Sequence, residues 1–119
     1  LTTTSKIADN FFNSVWCIDS GSTSHLCSDK TKFIKFDREN GKLMLASNDS
    51  TANIAGKGLV KVKLGDDHIV NLSDTLYVPN LSTNLLSESK ITSKGFDVTF
   101  KRDHAEIRDK NGDIFAKAT

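Results

Sequence analysis

Short runs of alternating apolar and polar residues fill most of the chain, and nearly every run is closed by Gly, Asn, Asp or Ser. Successive side chains of a strand point to opposite faces, so this period of two predicts an all-β domain of short strands. Val15-Trp16-Cys17-Ile18 is a compact apolar strand that ends at Asp19. Residues 42–47 and 52–55 flank Asn48-Asp49-Ser50, a turn-prone cluster suited to a hairpin tip. Residues 59–64 and 68–72 flank Gly65-Asp66-Asp67 and predict the clearest hairpin of the chain. A strand over residues 75–78 stops at Pro79, which has no N–H to give to a ladder.

Beyond Pro79 the period changes. Ser82-Thr83-Asn84 offers N-cap side chains for one short helix over residues 85–94, with Gly95 placed to end it. Phe96, Val98 and Phe100 then alternate with polar residues, as do Ala105 and Ile107, and Asn111-Gly112 marks a last hairpin returning through residues 114–116. This C-terminal hairpin is expected to complete the core rather than to form an interface. Residues 1–13 open with a polar, Thr-rich stretch and are expected to be a linker or loosely held terminal arm, leaving residues 14–119 as the domain. No internal repeat or low-complexity segment interrupts this picture.

Composition narrows the class. With 119 residues, 37% apolar and 26% charged, the chain suits one globular domain, large enough to bury about two-thirds of its unfolded surface without disulfides or metal. Sixteen basic against fifteen acidic residues, interspersed, leave no cluster of positive charge for nucleic acid. No apolar run approaches the ~20 residues of a membrane span, and the first residues lack the pattern of a secretory signal, so a soluble, intracellular protein is expected. Cys17 and Cys27 are accordingly read as free thiols, and the sequons at Asn48, Asn71 and Asn80 as chance matches.

Asp19-Ser20-Gly21-Ser22-Thr23 is the segment where chemistry is expected, because a carboxylate stands where a buried strand enters a turn. Taken alone, Asp-Ser-Gly is more often only a turn. The surrounding order of features changes that weight. Trp16-Cys17-Ile18-Asp19-Ser20-Gly21-Ser22-Thr23-Ser24-His25-Leu26, then Ile54-Ala55-Gly56-Lys57-Gly58-Leu59-Val60, Leu76-Tyr77-Val78-Pro79 and Asn84-Leu85-Leu86-Ser87 resemble the copia-type branch of the retropepsins, the aspartic proteases of retroviruses and retrotransposons. The resemblance covers about residues 14–118.

That resemblance implies a closed β-barrel protease subunit with one short helix, functional as a homodimer. Asp19 matches the catalytic aspartate, Ser20 the hydroxyl residue that braces the active-site loops across the dimer, and Gly21 the residue whose backbone approaches substrate. Ser22 and Thr23 complete the loop, where Ala and Asp are usual in retroviral members. Residues 42–57 match the substrate-covering flap, with Ala46, Ser47, Asn48, Asp49 and Ser50 about its tip. Leu85-Leu86 after Asn84 matches the helix beneath the active site. The activity implied is an aspartic endopeptidase of a Gag-Pol polyprotein that cuts extended junctions, without metal or cofactor, in cytoplasmic virus-like particles. The competing reading is a catalytically silent dimerisation or peptide-binding module adopted by a host.

The need for two chains follows from counting carboxylates. This hydrolysis uses two that share a proton, one accepting from water while the other donates to the carbonyl oxygen. The chain has one Asp-Ser-Gly and no Asp-Thr-Gly, since Asp74-Thr75 continues into Leu76. A two-fold axis would supply the second. Cys17, His25 and Cys27 are candidate soft ligands, but their spacing matches no usual zinc pattern. Cys27 with His25 would form a thiol and base without an identifiable oxyanion site. His68 and His104 are expected on the surface.

Overall fold

The computed structural model describes residues 4–11, 14–44 and 51–119. The strands are β1 (Thr4–Asp9), β2 (Ser14–Asp19), β3 (Leu26–Cys27), β4 (Phe33–Met44), β5 (Thr51–Leu64), β6 (His68–Tyr77), β7 (Asn84–Ser87), β8 (Asp97–Phe100), β9 (Ala105–Arg108) and β10 (Ile114–Ala118). A 3-10 turn at Lys30–Lys32 precedes β4, and helix α1 (Glu88–Ser93) follows β7. A seven-stranded sheet has the order β1-β2-β7-β3-β6-β5-β4, and a three-stranded sheet the order β10-β9-β8. The all-β expectation with one short helix therefore holds.

Period-two patterning explains which faces meet. Trp16 and Ile18 of β2 are buried while Val15 is exposed, and Val60, Val62 and Leu64 bury alternate positions of β5. Ala105, Ile107, Ala116 and Ala118 bring the small sheet onto the same core, so the C-terminal strands complete it as expected. The Gly65 hairpin forms where anticipated, with Leu64 opposite His68 and positive φ at both Gly65 and Asp67. Gly112 likewise adopts positive φ between β9 and β10.

The expected barrel is not closed among the described residues. The seven-stranded sheet keeps two edges, β1 and β4, instead of pairing them. The cause lies in the long β4–β5 hairpin, whose ladder stops at Phe33 opposite Val60 and leaves the far end of β5 without β4 beside it. There the sheet curls until Asn10 N donates to Lys63 O at 2.9 Å and Lys63 N donates to Asp9 Oδ1 at 3.1 Å. Two hydrogen bonds thus pin the seam where a strand ladder would seal a barrel. The hairpin itself leaves the body over an edge-to-face cluster of Phe33, Phe36 and Tyr77, with centroids 5.3 to 6.0 Å apart. Gly56 lies under the Phe36 ring and Gly58 against the Lys35 carbonyl, both where a Cβ would overlap its neighbour.

Two further expectations change. Residues 4–9, read as part of a linker or arm, form β1 in register with β2, Ile7 opposite Trp16, and Thr119 N donates to Lys6 O at 2.7 Å on its other side. Their polar sequence concealed Ile7 and Asp9, both of which are buried. The helix, expected over residues 85–94, begins at Glu88. Residues 84–87 instead pair in parallel with β2, Trp16 opposite Asn84 through Asp19 opposite Ser87. The N-cap is therefore Ser87, whose hydroxyl accepts from Lys90 N at 3.2 Å, and not one of Ser82, Thr83 or Asn84. Gly95, at φ +95, ends the helix as anticipated.

Candidate active site

Asp19 is the last residue of β2, held between Thr4 of β1 and Ser87 of β7. Beyond it the chain turns at once: Gly21 N donates to Asp19 Oδ1 at 2.8 Å, so the carboxylate organises its own loop. Ser20, Gly21 and Thr23 are exposed, while Asp19 and Ser22 are half-buried. The carboxylate thus stands at a strand end beside an exposed glycine backbone.

Ser87 is the residue that locks this loop, and sequence reading missed it. It is fully buried. Its hydroxyl donates to Ser22 O at 2.7 Å, and the same oxygen accepts from Lys90 N as the helix cap. Its backbone N–H donates to His25 Nδ1 at 3.0 Å. One residue thus joins the Asp19 loop, β7 and α1. The signal available in sequence was a serine followed by Glu88 in the first helical turn, a cap pattern that the earlier Ser82-Thr83-Asn84 cluster overshadowed.

His25 is buried at 5% exposure. Burial, aided by the Lys90 ammonium, lowers its pKa to about 4, so the ring is neutral near pH 7. With Nδ1 accepting, the ring proton sits on Nε2. Between pH 4 and 6.5 the unfolded chain binds a proton that the folded chain refuses, so stability rises with pH through that window. The contribution is complete above 6.5 and is lost as acid brings the pH down towards 4. At ~1.4 kcal/mol per pKa unit the loss is about 3 kcal/mol. Urea melts from pH 7 to 4 should show this fall, and His25→Asn, which keeps an acceptor for Ser87 N–H, should flatten it; parallel profiles would contradict it.

The remaining soft ligands do not converge. Cys17 lies on β2 and Cys27 at the end of β3, with β7 between them. Burial pushes the Cys27 thiol up, which disfavours the thiolate that a nucleophile needs. No group of three or more His, Cys, Asp or Glu side chains is arranged around a common point among the described residues. His68 is half-buried and stacks on Phe115 at 4.1 Å, while half-buried His104 bonds Asp103 and Glu106 at 2.7 and 3.0 Å. These neighbours raise the His104 pKa.

At the opposite end of β2 a second polar cluster is buried. Asp9 Oδ1 accepts from Phe11 N at 3.0 Å as well as from Lys63 N, and Asp9 Oδ2 lies 3.9 Å from Lys32 Nζ. Lys32 also donates to Ser14 Oγ. Both charged side chains are almost wholly buried, so this cluster ties β1, β2, β5 and the 3-10 turn together from within. Of the expected flap, the arms β4 and β5 are described to Met44 and from Thr51, whereas Ala46, Ser47, Asn48, Asp49 and Ser50 lie outside the described residues.

Comparison with known proteins agrees with this architecture. The family model of the Pol polyprotein β-barrel domain matches residues 16–96, running from the heart of β2 past the end of α1. The chain is also similar to the putative transposon Ty5-1 protein of Saccharomyces cerevisiae, 36% identical over 75 residues. That alignment covers 63% of this chain and 48% of the relative, so the chain spans about half the length of the curated relative it matches. β1 and the three-stranded sheet fall outside the family match, and Asp19, Ser87 and His25 fall within it. With well over half its residues matched, the chain belongs to the Pol polyprotein β-barrel domain family.

Proposed function

We infer that this domain is the aspartic endopeptidase of a retrotransposon Pol polyprotein, active as a homodimer in which each chain contributes Asp19. The observation that carries the reading is the setting of Asp19. It ends a strand whose Trp16 and Ile18 are fully buried, Gly21 N holds its carboxylate, and Ser87 clamps its loop from below. In the dimer the two Asp19 carboxylates share one proton across the two-fold axis. The ionised one takes a proton from water as it attacks the peptide carbonyl, and the protonated one donates to the carbonyl oxygen. The alternation of roles requires both copies.

Substrate would lie extended between the Asp19 loops and the β4–β5 hairpins, pairing with main-chain edges. Junctions of the same polyprotein are the natural peptides, and assembly inside a crowded particle would raise the local concentration that a weak dimer needs. The rate should therefore rise with the square of chain concentration well below the dimer dissociation constant. Sedimentation and cleavage of a junction peptide, followed over one dilution series, test this. Full specific activity in samples that sediment wholly as monomer would show that one chain holds a complete site.

A further inference from the structure

Beside the Asp19 loop, but on the other side of β7, a half-open cavity of about 190 Å³ lies between α1 and the two sheets. It is larger than the ~150 Å³ cavity that suffices to take up benzene in another protein. Leu64, Leu72, Leu86, Ile91, Phe96 and Phe115 line it, so most of its wall offers nothing but dispersion contacts. Polar groups, Lys94 among them, line the rest of the wall, and two of them, His25 and Lys90, act on one another. His25 lines the cavity with Nδ1 already used by Ser87 N, which leaves its Nε2–H as the remaining donor. Lys90 lines it too and lies close enough for its charge to act on the imidazole. None of the ion pairs among the described residues uses Lys90. Asp74, the acid on the rim, is already 3.9 Å from Lys57.

An apolar chamber with an ammonium and a buried N–H donor at one point is matched by a ligand with an apolar chain and a compact anionic head. We propose that this cavity binds a medium-chain aliphatic carboxylate, its chain against Leu72, Ile91 and Phe115 and its carboxylate between Lys90 Nζ and His25 Nε2–H. The hydrogen bond from Ser87 N to His25 Nδ1 places the head group one side chain away from the clamp on the Asp19 loop. Occupancy would therefore register at Ser87 as well as in the cavity wall.

Octanoate titrated into the isotope-labelled chain tests the site by nuclear magnetic resonance, with no cleavage measured, so the result is independent of the protease reading. Saturable shifts are expected at the amides of Ser87, Ile91, Phe96 and Phe115. Lys90→Glu should weaken binding at least tenfold; it leaves the helix cap intact, because Ser87 bonds the Lys90 backbone N–H. Ile91→Trp should fill the chamber and abolish the shifts, and octylamine should bind at least tenfold more weakly than octanoate. Non-saturating shifts, octanoate bound equally by Lys90→Glu, or octylamine bound as well as octanoate would overturn the proposal.

Discussion

Asp19→Asn should abolish cleavage of a junction peptide, with a loss of roughly a thousandfold or more, since general acid–base catalysis typically contributes ~10²–10⁴. In a homodimer the substitution removes both carboxylates at once, so no ionised base remains to take the proton from water. Folding should survive. The carbonyl of the substituted amide can still accept from Gly21 N, as Asp19 Oδ1 does at 2.8 Å, and the two side chains are nearly isosteric. Urea midpoints and sedimentation of the variant should match the wild type while peptide hydrolysis disappears. Hydrolysis persisting at the wild-type rate would remove Asp19 from the mechanism.

Asp9→Ala should cost about 3–5 kcal/mol of folding stability, the range in which breaking a buried ion pair usually falls. The large effect follows from what is left behind: Lys32, 4% exposed, would stay buried beside Trp16 with this carboxylate gone. Lys63 N and Phe11 N would lose their acceptor as well. Because domains of this size are stable by ~5–15 kcal/mol, the variant should unfold at far lower urea than the wild type. Replacing Lys32 by methionine in the same chain should restore much of the loss, since no uncompensated charge remains buried. Equal urea midpoints for wild type and Asp9→Ala would show that the seam between β1 and β5 does not depend on this pair.

These expectations draw unequally on what could be read without coordinates. The hairpin at Gly65 was legible as a local pattern, whereas Asp19 stood apart from an ordinary Asp-Ser-Gly turn only through the order of the later segments that carry the resemblance. Asp9 was not legible. An aspartate next to Asn10, a few residues after the polar, Thr-rich start of the chain, carries no local mark of burial, and its partners Lys32 and Lys63 are remote in sequence. Ser87 was hidden differently. Its surroundings were read as helix, since Leu85 and Leu86 are good helix formers, yet pairing with β2 outweighs that preference and moves the cap to Ser87.

Hairpin turns and the all-β class rest on interactions between residues near in sequence: period-two burial, turn chemistry at glycine, and the missing N–H of proline. These need no knowledge of what lies across the molecule. The parallel placement of β7 beside β2, the open seam between β1 and β5, and the joining of His25, Ser87 and Ser22 beneath Asp19 depend instead on segments tens of residues apart. Local preference cannot specify such meetings, because many pairings satisfy the same alternation, whereas the observed one also buries Asp9 with Lys32 and gives Ser87 all of its hydrogen bonds.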